Sequence, residues 1–323
     1  MKLVILDTYA STGKELSYDR FAGLASLTTY ERTPYDRIVE RIGDAELVIT
    51  NKCLLDRAVL EQCPNLRYVG IIATGYNNID LPEAVRRGIT VTNVPAYSTK
   101  GVAQLVFAYI LDAYSMVREH DRRVQAGEWE RCPDFCFYDD RLQELDGKTI
   151  GIIGFGSIAR RVAAIAAAFD MKVLVQTRTV REEDRAAFPW VTFTTREAVF
   201  SQSDIVTIHC PLTGETAGMV NRDTLRLMKP SAILINTARG PVVNEADLAA
   251  ALRDGVIRRA YADVVSQEPV RPDNPLLHAK NMVLTPHLAW ACYETRVRLI
   301  EQVYQNLKHY LEGDPIHVVR PEG

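Results

Sequence analysis

The sequence predicts an α/β protein built from two doubly wound parallel-sheet domains, and three observations predict it. Short apolar runs alternate with helix-like segments along nearly the whole chain, the pattern of parallel sheets covered by helices on both faces. The 323 residues exceed one typical domain and suit two. Finally, residues 148–178 read as strand, glycine turn, helix and strand, the unit of about 30 residues that holds a dinucleotide.

In the first domain, residues 3–7, 47–50, 68–73 and 89–92 have the length and β-branched content of buried strands, with helices expected at 35–42, 56–62 and 81–87. No glycine fingerprint follows its first strand, so the dinucleotide is expected elsewhere. The segment VPAYST reads as a linker ending in a helix cap at Ser98 or Thr99. Beyond it Val102, Leu105, Val106, Tyr109, Ile110, Ala113, Met116 and Val117 recur at helical spacing, predicting one long amphipathic helix that ends near Gly127. Residues 128–146 hold aromatics without a period and read as a surface arm or a lid.

Strands of the central domain are expected at 149–153, 172–176, 204–208, 231–235, 259–263 and 282–284. Gly154 permits the tight turn after the first of them, Gly156 lets backbone approach a pyrophosphate, and Ala159 lets helix and strand pack closely. A last helix at 291–311 presents Val297, Ile300, Val303, Tyr304 and Leu307 on one face and stops at Gly313-Asp314-Pro315. Because the first domain is short of helices, this one is expected to cross back to it. The expected division is therefore 1–98 plus 289–323 around an inserted 99–288.

Composition narrows the function classes. A net charge of −3 with scattered positive charges gives no footing for nucleic acid or a membrane surface. No apolar run reaches membrane-spanning length, and the N-terminus reads as a first strand and not a signal peptide. Six cysteines form neither a C-x-x-C pair nor a zinc spacing, so no metal is expected and a cytoplasmic location is.

Three polar groups lie just past predicted strand ends, the edge at which an open parallel sheet binds ligands. They are Asn236 to Gly240 (NTARG), Asp263 with Glu268, and Thr285-Pro286-His287. Arg239 alone would serve as well in a surface ion pair, Glu268 as a turn residue and His287 as a loop histidine. Together, an arginine fork for a carboxylate, a histidine to move a proton and a glutamate to fix its tautomer point to redox chemistry on an anionic substrate.

The motifs GFGSIA, HCPLT, NTARG, the D-x-x-x-x-E-P of residues 263–269, TPH, and ATGYNNIDL at 73–81 resemble those of the D-isomer-specific 2-hydroxyacid dehydrogenases over nearly the whole length. FCFYD at 135–139 and TPHLAW are most similar to the glycerate dehydrogenase, or hydroxypyruvate reductase, branch; Ala289 and Trp290 stand where many members carry two glycines. The resemblance implies a Rossmann dinucleotide-binding domain inserted in a flavodoxin-like substrate domain. It implies that Arg239 binds the substrate carboxylate and keto oxygen, that His287 is the acid/base, and that Glu268 hydrogen-bonds His287. It further implies substrate contact at the Thr74 and Gly75 backbone, pyrophosphate contact at Ser157 and Ile158, and a nicotinamide side lined by Cys210, Pro211, Thr237, Ala238 and Asp263. Homodimers joined through the long helix and the arm are implied as well. The expected reaction is hydride transfer between NAD or NADP and a small 2-keto or 2-hydroxy acid, hydroxypyruvate to D-glycerate first. Glyoxylate or pyruvate is the alternative substrate, and a non-catalytic, dinucleotide-sensing corepressor-like protein the alternative function. Thr177 stands where an Asp commonly binds the ribose 2′-hydroxyl, and Arg178 follows it, which predicts tolerance of NADP.

Overall fold

The computed structural model describes residues 1–13 and 15–321. They form two compact units: residues 1–98 with those from Trp290 onward, and Thr99–Ala289.

In the first unit, β1 (Lys2–Ile5), β2 (Ser26–Thr29), β3 (Leu47–Thr50), β4 (Tyr68–Ile71) and β5 (Thr90–Thr92) pair in parallel in the order β2-β1-β3-β4-β5, the flavodoxin-like order. Alternation along the strands sends Val4, Val48 and Val69 to one buried layer and Leu3, Ile5, Leu47 and Ile49 to the other. The last helix, Tyr293–Leu311, lays Leu299, Val303 and Leu307 into that second layer. Each of these fully buried side chains contributes about 1.5–3 kcal/mol. Val297, expected on the same face, is exposed.

The second unit holds β6 (Thr149–Ile153), β7 (Lys172–Gln176), β8 (Val191–Phe193), β9 (Ile205–Ile208), β10 (Ile233–Asn236), β11 (Arg259–Ala262) and β12 (Met282–Leu284), all parallel, in the order β12-β11-β10-β9-β6-β7-β8. Counted from β6 this is the Rossmann order 3-2-1-4-5-6 with one strand added, and the order reverses between β6 and β9. Helices Thr99–Ser115 and Ser157–Ala168 cover one face and Arg196–Gln202, Arg222–Leu227 and Glu245–Arg253 the other.

Two edge strands, β2 and β8, were outside the expected set. Ser26–Thr29 reads SLTT and is mostly exposed, and Val191–Phe193 has only three residues, so neither carries a buried-strand signal. The expected long helix is two, Thr99–Ser115 and Val117–Gln125, broken where Met116 takes φ +49°. The apolar spacing runs through the break because Met116 is itself buried. Residues 35–37 form a 3₁₀ turn before the helix Ile38–Ile42. No helix among the described residues is long and apolar enough to cross a membrane.

Candidate active site

Register builds the site. Ile153, Ile208, Asn236, Ala262 and Leu284 form one row across β6, β9, β10, β11 and β12, and Gln176 of β7 joins it beside Ile153. The residues that follow them are Gly154, His209, Thr237, Asp263, Thr285 and Thr177, so every motif of the second unit leaves the sheet at one edge.

At the reversal of strand order, Gly154 has φ +88°, and a Cβ there would stand 2.9 Å from the backbone of His209 and Cys210. Only glycine fits. Gly156 is the N-cap of helix Ser157–Ala168 and supplies no side-chain cap, while a Cβ at Gly156 would meet nothing within 4 Å. The first N–H groups of that helix and the open space above Gly156 suit a pyrophosphate. Thr99 Oγ1 donates to Ser157 Oγ at 3.2 Å, Ile158 is half-buried and Ala159 is fully buried. Farther along the edge, Thr237 Oγ1 is buried without a hydrogen-bond partner among the described residues, and Cys210 is buried beside exposed Pro211. An orphaned hydroxyl and an uncapped helix end in one row fit a dinucleotide. Thr177 is half-buried; Arg178 is exposed and forms no ion pair among the described residues.

The loop after β10 is held by Asn236, whose Oδ1 accepts from Ala238 N at 3.0 Å and whose Nδ2 donates to Arg239 O at 3.0 Å. Arg239 is exposed, with Nη1 donating to Ala238 O at 2.7 Å. A Cβ on Gly240 would lie 1.9 Å from Val265 C and 2.4 Å from Ser266 N, so the Arg239 loop rests directly on the backbone of the segment that carries Glu268.

His287 Nδ1 and Glu268 Oε2 are 2.6 Å apart, both side chains about a third exposed. His287 takes φ +52°, a left-handed conformation in which His, Asn and Asp are enriched. Asp263 enforces it. Its carbonyl accepts from His287 N at 2.8 Å, its Oδ1 from Thr285 Oγ1 at 2.5 Å and Leu288 N at 2.9 Å, and its Oδ2 from Ala289 N at 2.8 Å. The Tyr109 hydroxyl in turn bonds to Thr285 Oγ1. Asp263 is 1% exposed, and its carboxylate clamps the His287 loop from within, a role that the motif alone did not convey. His209 differs: its imidazole is desolvated although the residue is partly exposed, which pulls its pKa down to about 3, and its Nε2 meets Thr207 Oγ1 at 2.9 Å. It stays neutral near pH 7 and is no imidazolium acid there.

In the first unit, Thr74 and Gly75 follow β4. Thr74 Oγ1 donates to Val94 O at 2.8 Å, and Thr74 O accepts from Asn93 Nδ2 at 2.7 Å. No group of three or more possible metal ligands occurs among the described residues.

A Rossmann-ordered sheet with a glycine turn at its reversal, and a paired histidine and glutamate on the same edge, define a nicotinamide-dinucleotide oxidoreductase. Residues 107–289 match the family model described as D-isomer specific 2-hydroxyacid dehydrogenase, NAD binding domain. The hydroxypyruvate reductase of Blautia hydrogenotrophica is 42% identical over 99% of each chain. Among solved structures, D-lactate dehydrogenase from Aquifex aeolicus, complexed with NAD and lactic acid, is 28% identical with a TM-score of 0.84 over 100% of both chains. The NADPH-dependent glyoxylate/hydroxypyruvate reductase of Sinorhizobium meliloti, in complex with NADP and malonate, is 27% identical with a TM-score of 0.83 over 100% of this chain and 99% of that one. The chain belongs to the D-isomer-specific 2-hydroxyacid dehydrogenases. It is an NAD(P)-dependent oxidoreductase of 2-hydroxy acids.

Proposed function

We propose that this enzyme reduces hydroxypyruvate to D-glycerate, with His287 as acid/base, Glu268 as its partner and Arg239 as the substrate clamp. The aligned strand ends carry the reading, because they bring the dinucleotide turn and the His287–Glu268 pair to one edge of one sheet. A relative over nearly the whole length is a hydroxypyruvate reductase, and a second, 37% identical over 88% of this chain, is a glycerate dehydrogenase of Methylorubrum extorquens.

Gly154, Gly156, Ser157 and Ile158 are assigned to the pyrophosphate, Thr177 and Arg178 to the adenosine ribose, and Cys210, Pro211, Thr237, Ala238 and Asp263 to the nicotinamide side. The nicotinamide, when bound, supplies or accepts the hydride. The protein supplies the rest. Glu268 accepts a hydrogen bond from His287 Nδ1–H, which fixes the ring and its tautomer, so the mobile proton sits on Nε2 and passes to the keto oxygen. Arg239 holds the carboxylate through a two-bond fork and steadies the oxygen as charge develops on it. The Thr74 and Gly75 N–H groups are assigned to substrate binding.

A panel of hydroxypyruvate, glyoxylate and pyruvate with NADH and NADPH tests the assignment. The highest kcat/KM is expected with hydroxypyruvate. Turnover of none of the three would favour a dinucleotide-sensing binding protein. Among the described residues Arg178 has no acidic partner to occupy it, and Thr177 presents no carboxylate to repel a 2′-phosphate. NADPH is therefore expected to reach a kcat/KM within about tenfold of NADH, a gap of about 1.4 kcal/mol; a preference for NADH of a thousandfold would refute the role of Arg178.

Two further assignments complete the reading. A homodimer is proposed through helix Val117–Gln125 and the arm after it. Val117, Trp129, Phe135 (90% exposed) and Tyr138 are exposed apolar side chains in this stretch, and Phe137 stacks on His120 to hold the arm against the helix. Sedimentation at micromolar concentration is expected to return twice the 36.3 kDa of one chain, and a monomer would overturn it. All six cysteines are free thiols, which suits a reducing compartment, the cytoplasm.

A further inference from the structure

Glu268 lies in a segment with neither helix nor strand, between β11 and β12, and it must still hold its carboxylate 2.6 Å from a histidine nineteen residues on. Something outside the segment has to set its path. The N–H of Ser266 donates to Glu245 Oε1 at 2.7 Å, the Ser266 hydroxyl to Glu245 Oε2 at 2.6 Å, and Asn274 Nδ2 to Glu245 Oε2 at 3.0 Å. One carboxylate therefore closes the Glu268 segment at both ends.

Both ends are well founded. Asn274 is buried, its Oδ1 accepts from Leu276 N at 2.9 Å, and Leu276 sits in the core. At the other end Val265 N donates to Glu268 Oε1 at 3.3 Å, while Gly240 packs on the backbone of Val265 and Ser266. Glu245 is the first residue of helix Glu245–Arg253, where the helix dipole favours a negative charge. That helix begins five residues after Gly240, so the carboxylate joins the Arg239 side of the site to the Glu268 side.

We propose that Glu245 is a positioning residue of the reaction: it touches no reacting atom and keeps Glu268 in reach of His287 Nδ1. Its hydrogen bonds are to charge and cross a segment of nine residues, so losing them frees the loop while the Rossmann sheet stays whole. The proposal rests on the His287–Glu268 reading above and deepens it.

The test is a double-mutant cycle in the full-length enzyme, with kcat and KM for hydroxypyruvate and the dissociation constant of NADH measured throughout. Glu245→Ala is expected to lower kcat about tenfold, with NADH binding unchanged, as a catalytic group drifts by part of an ångström. Glu245→Gln, close in shape and keeping one acceptor for Ser266, is expected to lose about threefold by the same argument and covers a folding failure of the alanine variant. In a Glu268→Gln background either change is expected to cost less than about twofold, since the group being positioned is already gone. Equal losses in both backgrounds, or no loss in either, overturn the role of Glu245 alone. Wild-type kcat in Glu268→Gln itself overturns the histidine–glutamate pairing, and this proposal with it.

Discussion

Replacing His287 with Gln is expected to lower kcat for keto-acid reduction by about a thousandfold, the middle of the range for general acid catalysis, while the dissociation constant of NADH moves less than about twofold. The separation follows from where the residue stands. His287 belongs to the loop after β12, whereas the dinucleotide turn belongs to β6, and Ile208, Asn236 and Ala262 stand between the two in the row of strand ends. Glutamine can still hydrogen-bond to Glu268, so the loop keeps its anchor, but it cannot carry a proton to the substrate near neutral pH. His209 does not substitute, because burial pulls its pKa down to about 3 and keeps it neutral near pH 7. Steady-state rates beside a fluorescence titration of NADH check both halves, and a variant retaining more than a tenth of wild-type kcat would remove His287 from the mechanism.

Arg239→Gln is expected to reduce kcat/KM for hydroxypyruvate by about 10²–10⁴, from the loss of two charge-assisted hydrogen bonds of about 1.5–3 kcal/mol each. Among the described residues Arg239 donates only to Ala238 O, which leaves the other guanidinium donors uncommitted. A substrate carboxylate thus displaces no internal ion pair. Arg239→Lys restores the charge without the planar fork and is expected to fall between the two. A loss confined to KM would mean that the arginine binds substrate and transition state equally, and an unchanged kcat/KM would return Arg239 to the surface.

Much of this was legible in the sequence for plain physical reasons. Buried parallel strands must be apolar, so β3, β4, β6 and β9 announced themselves, and a tight turn against backbone requires glycine, so Gly154 did too. Strand ends gave the addresses of Arg239, Glu268 and His287, and the resemblance to a family implied the roles proposed for them. Hidden from view were features with no period. The strand SLTT is polar at an edge, and Met116 breaks a helix without interrupting its apolar spacing. Contacts such as Glu245 with Ser266 and Asn274, or Tyr109 with Thr285, join residues 21 to 176 positions apart through hydrogen bonds that leave no local pattern. They emerge only when strand register brings the loops together.

Gly240 sets a limit on how this enzyme can diverge. With no side chain between them, the backbone that aims Arg239, the proposed carboxylate clamp, rests directly on the backbone that leads to Glu268, the proposed partner of His287. A drift that reshaped the first to admit a bulkier acid would detune the second, so innovation in substrate range has to arise outside this joint. The two loops form one chassis, and Gly240 is the weld.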